Sequence, residues 1–457
     1  MRGLRSTLAL LVVAVGLGAY IYFVERHRDP ASAPEPNEAL FTFDADDVRE
    51  LEVRAEDGGV TELRQDDGVW RIVAPVEAAA DDVSATSLAA TLSSLEINRV
   101  LEEGPVDLEP LGHAAPALEI GVAAQNRVGP PPQQISHPPP PRADRYAKLD
   151  ASDRVFLIPG YHRTTLNKTT FDLRDKTLLD FDRDALDRFE VVSGERTIGF
   201  AKDGDDWRLA EPLEAAADFG TVEGLIGSLG SGRMRAVASE SPDALDDYGL
   251  DAPAHAVSLH AGSATATLHV GAEAEDGTYY AHDAARPLVF TVDATLVTNL
   301  KREADEYRRK DLFAFRAFNA SRLEIERGDD TVVFEKRAAP EDGEDAEDTW
   351  ELAAPESGSV PHDAMDDLLS KLSGLRAASF VASREEAGIG PEQVAATVRA
   401  RFGADDTEEQ VIVWRSGEDT FAVAGDEPGA ARIDSQAFDD ALEALAAARN
   451  PDDGAEG

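Results

Sequence analysis

Residues 70–81, WRIVAPVEAAAD, and residues 207–218, WRLAEPLEAAAD, spell nearly the same string, and a looser third copy, WELAAPESGSVP, begins at Trp350. Other landmarks keep the same spacing, so the likeness is not an accident of an Ala- and Asp-rich chain. Trp70 to Trp207 and Pro116 to Pro253 are both 137 residues, and Tyr146 to Tyr280, Phe156 to Phe290 and Lys176 to Lys310 are all 134. Trp207 to Trp350 is 143, Ala281 to Ala422 is 141 and Leu296 to Phe438 is 142. A period of this length is domain-sized and far longer than a solenoid turn, so the 457 residues read as three tandem units.

Each unit repeats a physical pattern as well as letters. Counted from each Trp, the same four offsets carry Ala85, Leu88, Ala89 and Leu92, then Val222, Leu225, Ile226 and Leu229, then Met365, Leu368, Leu369 and Leu372. That i, i+3, i+4, i+7 spacing predicts one buried stripe of an amphipathic helix. Asp81 and Asp218 stand just before it as N-caps, with His362–Asp363 as the third candidate. Pro75, Pro212 and Pro355 cannot donate to a ladder and mark where the preceding strand stops. Upstream of each Trp, alternating apolar residues broken by Asp-Gly, Gly-Gly or Gly-Asp turns predict an antiparallel meander of three strands. Downstream of the helix, HAVSLHAGSATATLHVG, TYYAHD and RPLVFTV predict further strands, and ATLVTNLKREADEY a closing helix. The fold class is α+β: three tandem repeats, each a β-meander, an amphipathic helix and more strands, behind one N-terminal transmembrane helix. In the first repeat RVGPPPQQISHPPPPRAD replaces a strand and turn, and its prolines predict an exposed, edge-lying, polyproline-like stretch.

The run at residues 8–24 carries no charge and as a helix covers about 25 Å of a roughly 30 Å hydrocarbon core. A retained anchor is favoured over a cleaved signal peptide because the apolar run continues past Gly16 and Gly18. The expected organisation is therefore an anchor in residues 1–28, a linker in 29–38, repeats at 39–178 (with the proline-rich 129–141), 179–315 and 316–449, and an acidic tail at 450–457. The expected location is the bacterial cytoplasmic membrane, single-pass, with the bulk on the extracytoplasmic side. Lys+Arg 44 against Asp+Glu 89 leaves a net charge of −45, which repels nucleic-acid phosphates and excludes DNA or RNA as a partner. With no cysteine there is no disulfide, thiolate nucleophile or Cys-ligated metal.

No phosphate loop, dinucleotide fingerprint, zinc-protease, serine-hydrolase or β-lactamase motif occurs, so no catalytic, cofactor-binding or metal-binding residue is nominated and no enzyme activity is expected. GSLGSG at residues 227–232 reads as a helix C-cap and turn. His255, His260, His269 and His282 fall within repeat 2, but the predicted hairpin sets His260 opposite Thr265 and His269 opposite Ala256, so they read as scattered surface histidines. The acidic run 341–348 lacks the ligand spacing of a calcium loop and reads as a solvated hairpin loop. Trp70, Trp207 and Trp350 read as core packing, with an exposed aromatic platform for sugar or peptide as the alternative. KREADEYRRKDLFAF at residues 301–315 is locally basic in an acidic chain. Arg308, Arg309 and Lys310 there either meet acidic faces of the neighbouring repeat or form a contact for a partner protein.

The anchor, the tandem units, the W-x-[IL]-x-x-P element before a helix and YGLDAP at residues 248–253 resemble the bacterial domain-of-unknown-function 4340 family, over essentially everything after residue 38. That resemblance implies an envelope protein associated with ABC-type export or gliding-associated transporter components, with no catalytic residues to carry over. The expected function is a non-enzymatic scaffold or accessory subunit of such a complex. The alternatives are a cell-envelope hydrolase with a site between units, or a carbohydrate- or peptide-binding surface module.

Overall fold

The computed structural model describes residues 38–102, 117–124, 133–135, 144–149, 154–337 and 348–450. The apolar run at 8–24, nearly all of the 29–38 linker, the acidic loop before Asp348 and the tail after Asn450 lie outside them. Among the described residues no helix is long and apolar enough to cross a membrane. The chain divides into two compact units, one ending at Asp175 and one beginning at Lys176. Repeat 1 occupies the first, and repeats 2 and 3 share the second. Against the expected boundary after residue 178, the Lys176 carbonyl already accepts from Met234 N within the second unit.

Each repeat forms one nine-stranded sheet. Repeat 1 contains β1 (Val48–Arg54), β2 (Val60–Asp66), β3 (Val69–Ala74), β4 (Ala78–Ala79), helix α1 (Asp82–Ser93), β5 (Arg99–Glu102), β6 (Leu118–Ala124), β7 (Gln133–Ile135), β8 (Asp144–Leu149) and β9 (Val155–Pro159). Short helices α2 (Arg163–Leu166) and α3 (Thr170–Leu173) close it. Repeat 2 contains β10 (Leu186–Ser193), β11 (Arg196–Asp203), β12 (Asp206–Glu211), β13 (Ala215–Ala216), α4 (Phe219–Ser231), β14 (Ala236–Ser239), β15 (His255–Ala261), β16 (Ala264–Glu273), β17 (Tyr279–Asp283) and β18 (Val289–Val292). Its closing helix is broken into α5 (Ala294–Leu300) and α6 (Ala304–Tyr307), where a single helix was expected. Repeat 3 contains β19 (Ala320–Arg327), β20 (Asp330–Arg337), β21 (Thr349–Ala354), β22 (Gly358–Ser359), α7 (His362–Ser373), β23 (Ala377–Val381), β24 (Val394–Phe402), β25 (Thr407–Ser416), β26 (Asp419–Ala424), β27 (Ala430–Ile433) and α8 (Ser435–Arg449).

The strand order is the same three times: β4-β3-β2-β1-β6-β7-β8-β9-β5 in repeat 1, β13-β12-β11-β10-β15-β16-β17-β18-β14 in repeat 2 and β22-β21-β20-β19-β24-β25-β26-β27-β23 in repeat 3. Neighbouring strands pair antiparallel, so the meander before each Trp forms one half of the sheet and the strands after the helix the other. Register breaks recur at matching places, opposite the residue before the end of the third strand, between Glu62/Leu63, Gly199/Phe200 and Val333/Phe334. A bulge in each copy bends the sheet at the same point.

The predicted helix stripes are the buried ones: Ala85, Leu88, Ala89 and Leu92 in α1, Val222, Leu225, Ile226 and Leu229 in α4, and Met365, Leu368, Leu369 and Leu372 in α7. Asp81 and Asp218 cap α1 and α4 by accepting from Ser84 N and Thr221 N. Repeat 3 departs from this. Pro361 holds the N-cap position, His362 and Asp363 lie inside the first turn, and no side chain caps α7. Pro75, Pro212 and Pro355 each follow the last residue of β3, β12 and β21, as their missing N–H requires, and all three peptide bonds before them are cis. GSLGSG lies mostly inside α4, with only Gly232 serving as C-cap.

The proline-rich segment corrects an expectation. Within it Gln133–Ile135 forms β7, which pairs with β6 on one side and β8 on the other, inside the sheet and not along its edge. The three residues of β7, between the proline runs, each carry an N–H, which is what an interior strand needs.

The three tryptophans are 2%, 2% and 3% exposed, and this removes the aromatic-platform reading. Trp207 meets Phe189 edge-on, and Phe189 stacks on Phe200 at 4.3 Å. Its Nε1 donates to Glu223 Oε1 at 2.7 Å, and Arg183 pairs with the same carboxylate at 2.6 Å. Burial pushes the Glu223 carboxyl up, but the hydrogen bonds from Trp207 and Arg183 outweigh it and hold it below the usual carboxylate range. Trp70 Nε1 is buried with no acceptor among the described residues, because the position matching Glu223 is Thr86. Glu223→Ala should therefore cost about 1–3 kcal/mol of stability in the second unit, while Thr86→Glu should add about 1 kcal/mol in the first. Urea titrations followed by near-ultraviolet circular dichroism read both, and a Thr86→Glu chain no more stable than the parent would refute the second.

Candidate functional site

The basic segment at residues 301–315 becomes the junction between repeats 2 and 3. The chain leaves α6 extended, and its backbone pairs on both sides. Asp218 N donates to Tyr307 O at 2.7 Å and Arg309 N to Ala216 O at 2.8 Å, beside β13 at the edge of the second sheet. Ala377 N then donates to Lys310 O at 2.8 Å and Leu312 N to Leu375 O at 3.2 Å, beside β23 at the edge of the third. Six residues thus satisfy edge groups of two sheets. The same pairings recur elsewhere: in the first unit Asp81 N donates to Leu173 O and Asp175 N to Ala79 O, while Leu40 N donates to Leu95 O.

Side chains lock this junction. Tyr307 is fully buried, meets Phe200 edge-on at 5.0 Å and donates from its hydroxyl to Asn299 O at 2.9 Å. Arg308 is 5% exposed, lies over the Phe380 ring at 3.8 Å from its centroid and donates from Nη2 to Pro428 O at 3.0 Å. Asp305 at 3.6 Å and Glu427 at 4.0 Å flank its charge. Burial pulls the Arg308 pKa down and the two carboxylates oppose that pull. Glu427 also reaches into repeat 2, accepting from Ala216 N at 2.9 Å. The loop that carries Glu427 turns on Gly429, at φ +73°, where a Cβ would lie 2.0 Å from Val381 O. The enclosed space here is about 20 Å³, enough for a water and too small for a substrate.

Of the proposed partner-contact residues, Arg308 is buried within the chain and meets the acidic loop of the neighbouring repeat. Lys310 is half-buried, and Arg309 is exposed. The counterpart of Arg308 one repeat earlier, Arg174, is also buried. Trp70, Pro75, Asp81, Trp207, Pro212, Asp218, Trp350 and Pro355 all sit at the strand–helix corner of their repeats and are not brought together.

The open sheet faces carry charge ladders. On the third sheet Arg399 pairs with Glu324 at 3.0 Å and Glu326 at 2.7 Å, and Arg401 with Glu408, around a hollow of about 450 Å³. On the first, Arg64 pairs with Glu50 at 3.2 Å beside a hollow of about 210 Å³. The larger hollow lies over β19, β24 and β25, the smaller over β1, β2 and β6 with Val73 of β3. No cluster of three or more His, Cys, Asp or Glu able to hold a metal occurs among the described residues. The hairpin register is as predicted, His260 opposite Thr265 and His269 opposite Ala256. On its other side, however, His269 stands opposite His282, a pair that the sequence did not reveal.

Comparison with known proteins comes to three findings. The family model described as "Domain of unknown function (DUF4340)" matches residues 70–206 and again residues 207–394, each match opening on a repeated Trp. Its frame is shifted against the sheets, which begin with the strands before that Trp. No curated protein matches the chain. Among solved structures, the DnaN sliding clamp (DNA polymerase III subunit beta) from Pseudomonas aeruginosa bound to griselimycin covers 87% of this chain and 93% of its own, at 10% identity and a TM-score of 0.16.

Two outcomes test the junction. Arg308→Ala should destabilise the second unit by about 1–3 kcal/mol, since it removes the stack on Phe380 and the bond to Pro428 O, and Arg308→Lys should not restore it because an ammonium cannot stack flat on Phe380. Burial pushes the Tyr307 hydroxyl up to about 12. The unfolded chain ionises first, near pH 10, so this contribution is intact below pH 10 and is lost as the pH rises through about 12. Tyr307→Phe should remove that alkaline loss, and equal alkaline slopes for parent and variant would contradict the assignment.

Proposed function

The chain belongs to the family described as a domain of unknown function (DUF4340), and from that premise we propose that it is a non-enzymatic scaffold whose repeats hold binding faces at fixed spacing. In this reading residues 8–24 anchor it in the bacterial cytoplasmic membrane, the repeats stand on the extracytoplasmic side, and the complex served is an ABC-type export or gliding-associated transporter. The observation that carries the reading is the junction at residues 307–312. Its backbone is hydrogen-bonded to the sheets of both repeat 2 and repeat 3, and Arg308 is buried between them. A flexible tether would need neither. Spending the one basic segment on a rigid joint suits a protein that works by holding surfaces apart at a set geometry.

The chemistry-bearing residues support the same view. The recurrent Trp, Pro and Asp are used for packing, strand ends and helix caps, while the exposed, repeated features are the charged open faces of the sheets. Charged and polar rims give register and partner discrimination more than affinity.

In intact cells, a photoreactive residue at Glu408 or Glu50 on the open faces should crosslink to integral-membrane transporter subunits, whereas one at the buried Met365 should give none. Labelling of glycans or soluble peptides alone, or of nothing at either exposed position, would overturn the scaffold reading.

A further inference from the structure

The open face of the second sheet holds an arrangement that neither the packing nor the scaffold reading uses. His269 on β16 and His282 on β17 are direct cross-strand partners, with ring centres 6.3 Å apart and planes inclined by 40°. Their strand neighbours Leu268, Val270 and Ala281 are buried in the core, so the two imidazoles stand on the opposite, outer side. Around them stand small residues and the Tyr248–Gly249 backbone, which lies over Gly271. Ala256 is the partner of His269 on β15, and Gly271 and Ala284 are the next outward positions along each strand. Tyr280, two residues before His282, packs edge-on against Tyr248 at 5.0 Å and walls one side.

The protonation pattern follows from the contacts. His282 Nδ1 lies 3.1 Å from the Leu288 carbonyl oxygen, which can only accept, so Nδ1 carries the hydrogen and Nε2 is the nitrogen left for a metal. A backbone carbonyl that fixes one ring nitrogen is the usual support for a metal-ligating imidazole. Burial, and then the neighbouring His282, hold the His269 pKa below the usual imidazole value, which keeps that ring neutral and able to ligate. With a metal–nitrogen bond of about 2.0–2.1 Å from each ring, ring centres 6.3 Å apart admit one ion when the ligating nitrogens face each other across the gap.

We infer that His269 and His282 form a two-imidazole site for a borderline divalent cation of the copper, nickel and zinc class, with the remaining coordination positions open to water or to a second ligand. Imidazole nitrogen selects these ions over the calcium and magnesium that the carboxylate-rich surface would otherwise attract. No third His, Cys, Asp or Glu converges on the pair among the described residues.

The test uses the purified full-length protein and Cu(II) alone, read by electron paramagnetic resonance and by titration calorimetry. The wild type should bind one equivalent with two coordinated nitrogens. His269→Gln leaves the His282–Leu288 bond in place; it should retain the fold by circular dichroism, drop to one nitrogen and bind at least about tenfold more weakly. His260→Gln, on the adjoining hairpin end, should behave as the wild type. An unchanged two-nitrogen signal in His269→Gln, or copper bound only through oxygen in the wild type, would overturn the site.

Discussion

The sheets in this protein end in strands of two to five residues, and the backbone groups along such edges must be satisfied by something. Residues 307–312 do this for two sheets at once, pairing beside β13 at one edge of the second and beside β23 at one edge of the third. Everything else at the junction follows from that choice. Successive side chains of an extended segment point opposite ways, and here Tyr307 enters the core of repeat 2 while Arg308 reaches the loop of repeat 3. The joint is stiff because breaking it would expose backbone donors and acceptors as well as side chains.

A buried arginine in a chain of net charge −45 is an economical lock. The guanidinium has carboxylates within reach in either repeat, Asp305 in one and Glu427 in the other, so its charge is matched without importing a partner. Its planar face on Phe380 adds a contact that a point charge could not make. The acidic surface then remains free to repel other acidic molecules and keep the repeats from associating with one another at random.

The helix stripes were legible in sequence because a 3.6-residue period leaves few alternatives, and the strand ends were legible because proline cannot donate. What escaped has equally physical reasons. β7 is hidden by the prolines on either side, which dominate any local reading, although Gln133, Gln134 and Ile135 themselves obey the rules of a strand. The burial of Arg308 is invisible in a string of charges that could as well face solvent. The His269–His282 pair depends on a single irregularity: between Val270 and Glu273 the β16–β17 register shifts by one, and without that shift His269 would face Asp283. A bulge of one residue decides which side chain stands across from which, and no periodicity in the letters announces it.

The third repeat treats its corresponding edge differently. Where Asp218 in repeat 2 offers its N–H to the departing chain, repeat 3 has Pro361, and 142 residues past Arg309, which returns the second hydrogen bond, the chain has Pro451. A further copy spliced on by the same rule would find neither donor. The grammar that joins the second sheet to the third is thus not available for reuse at β22, and that edge also resists recruiting a stray strand from another molecule. Anyone extending the array by design would have to rewrite those two positions before adding a single new strand.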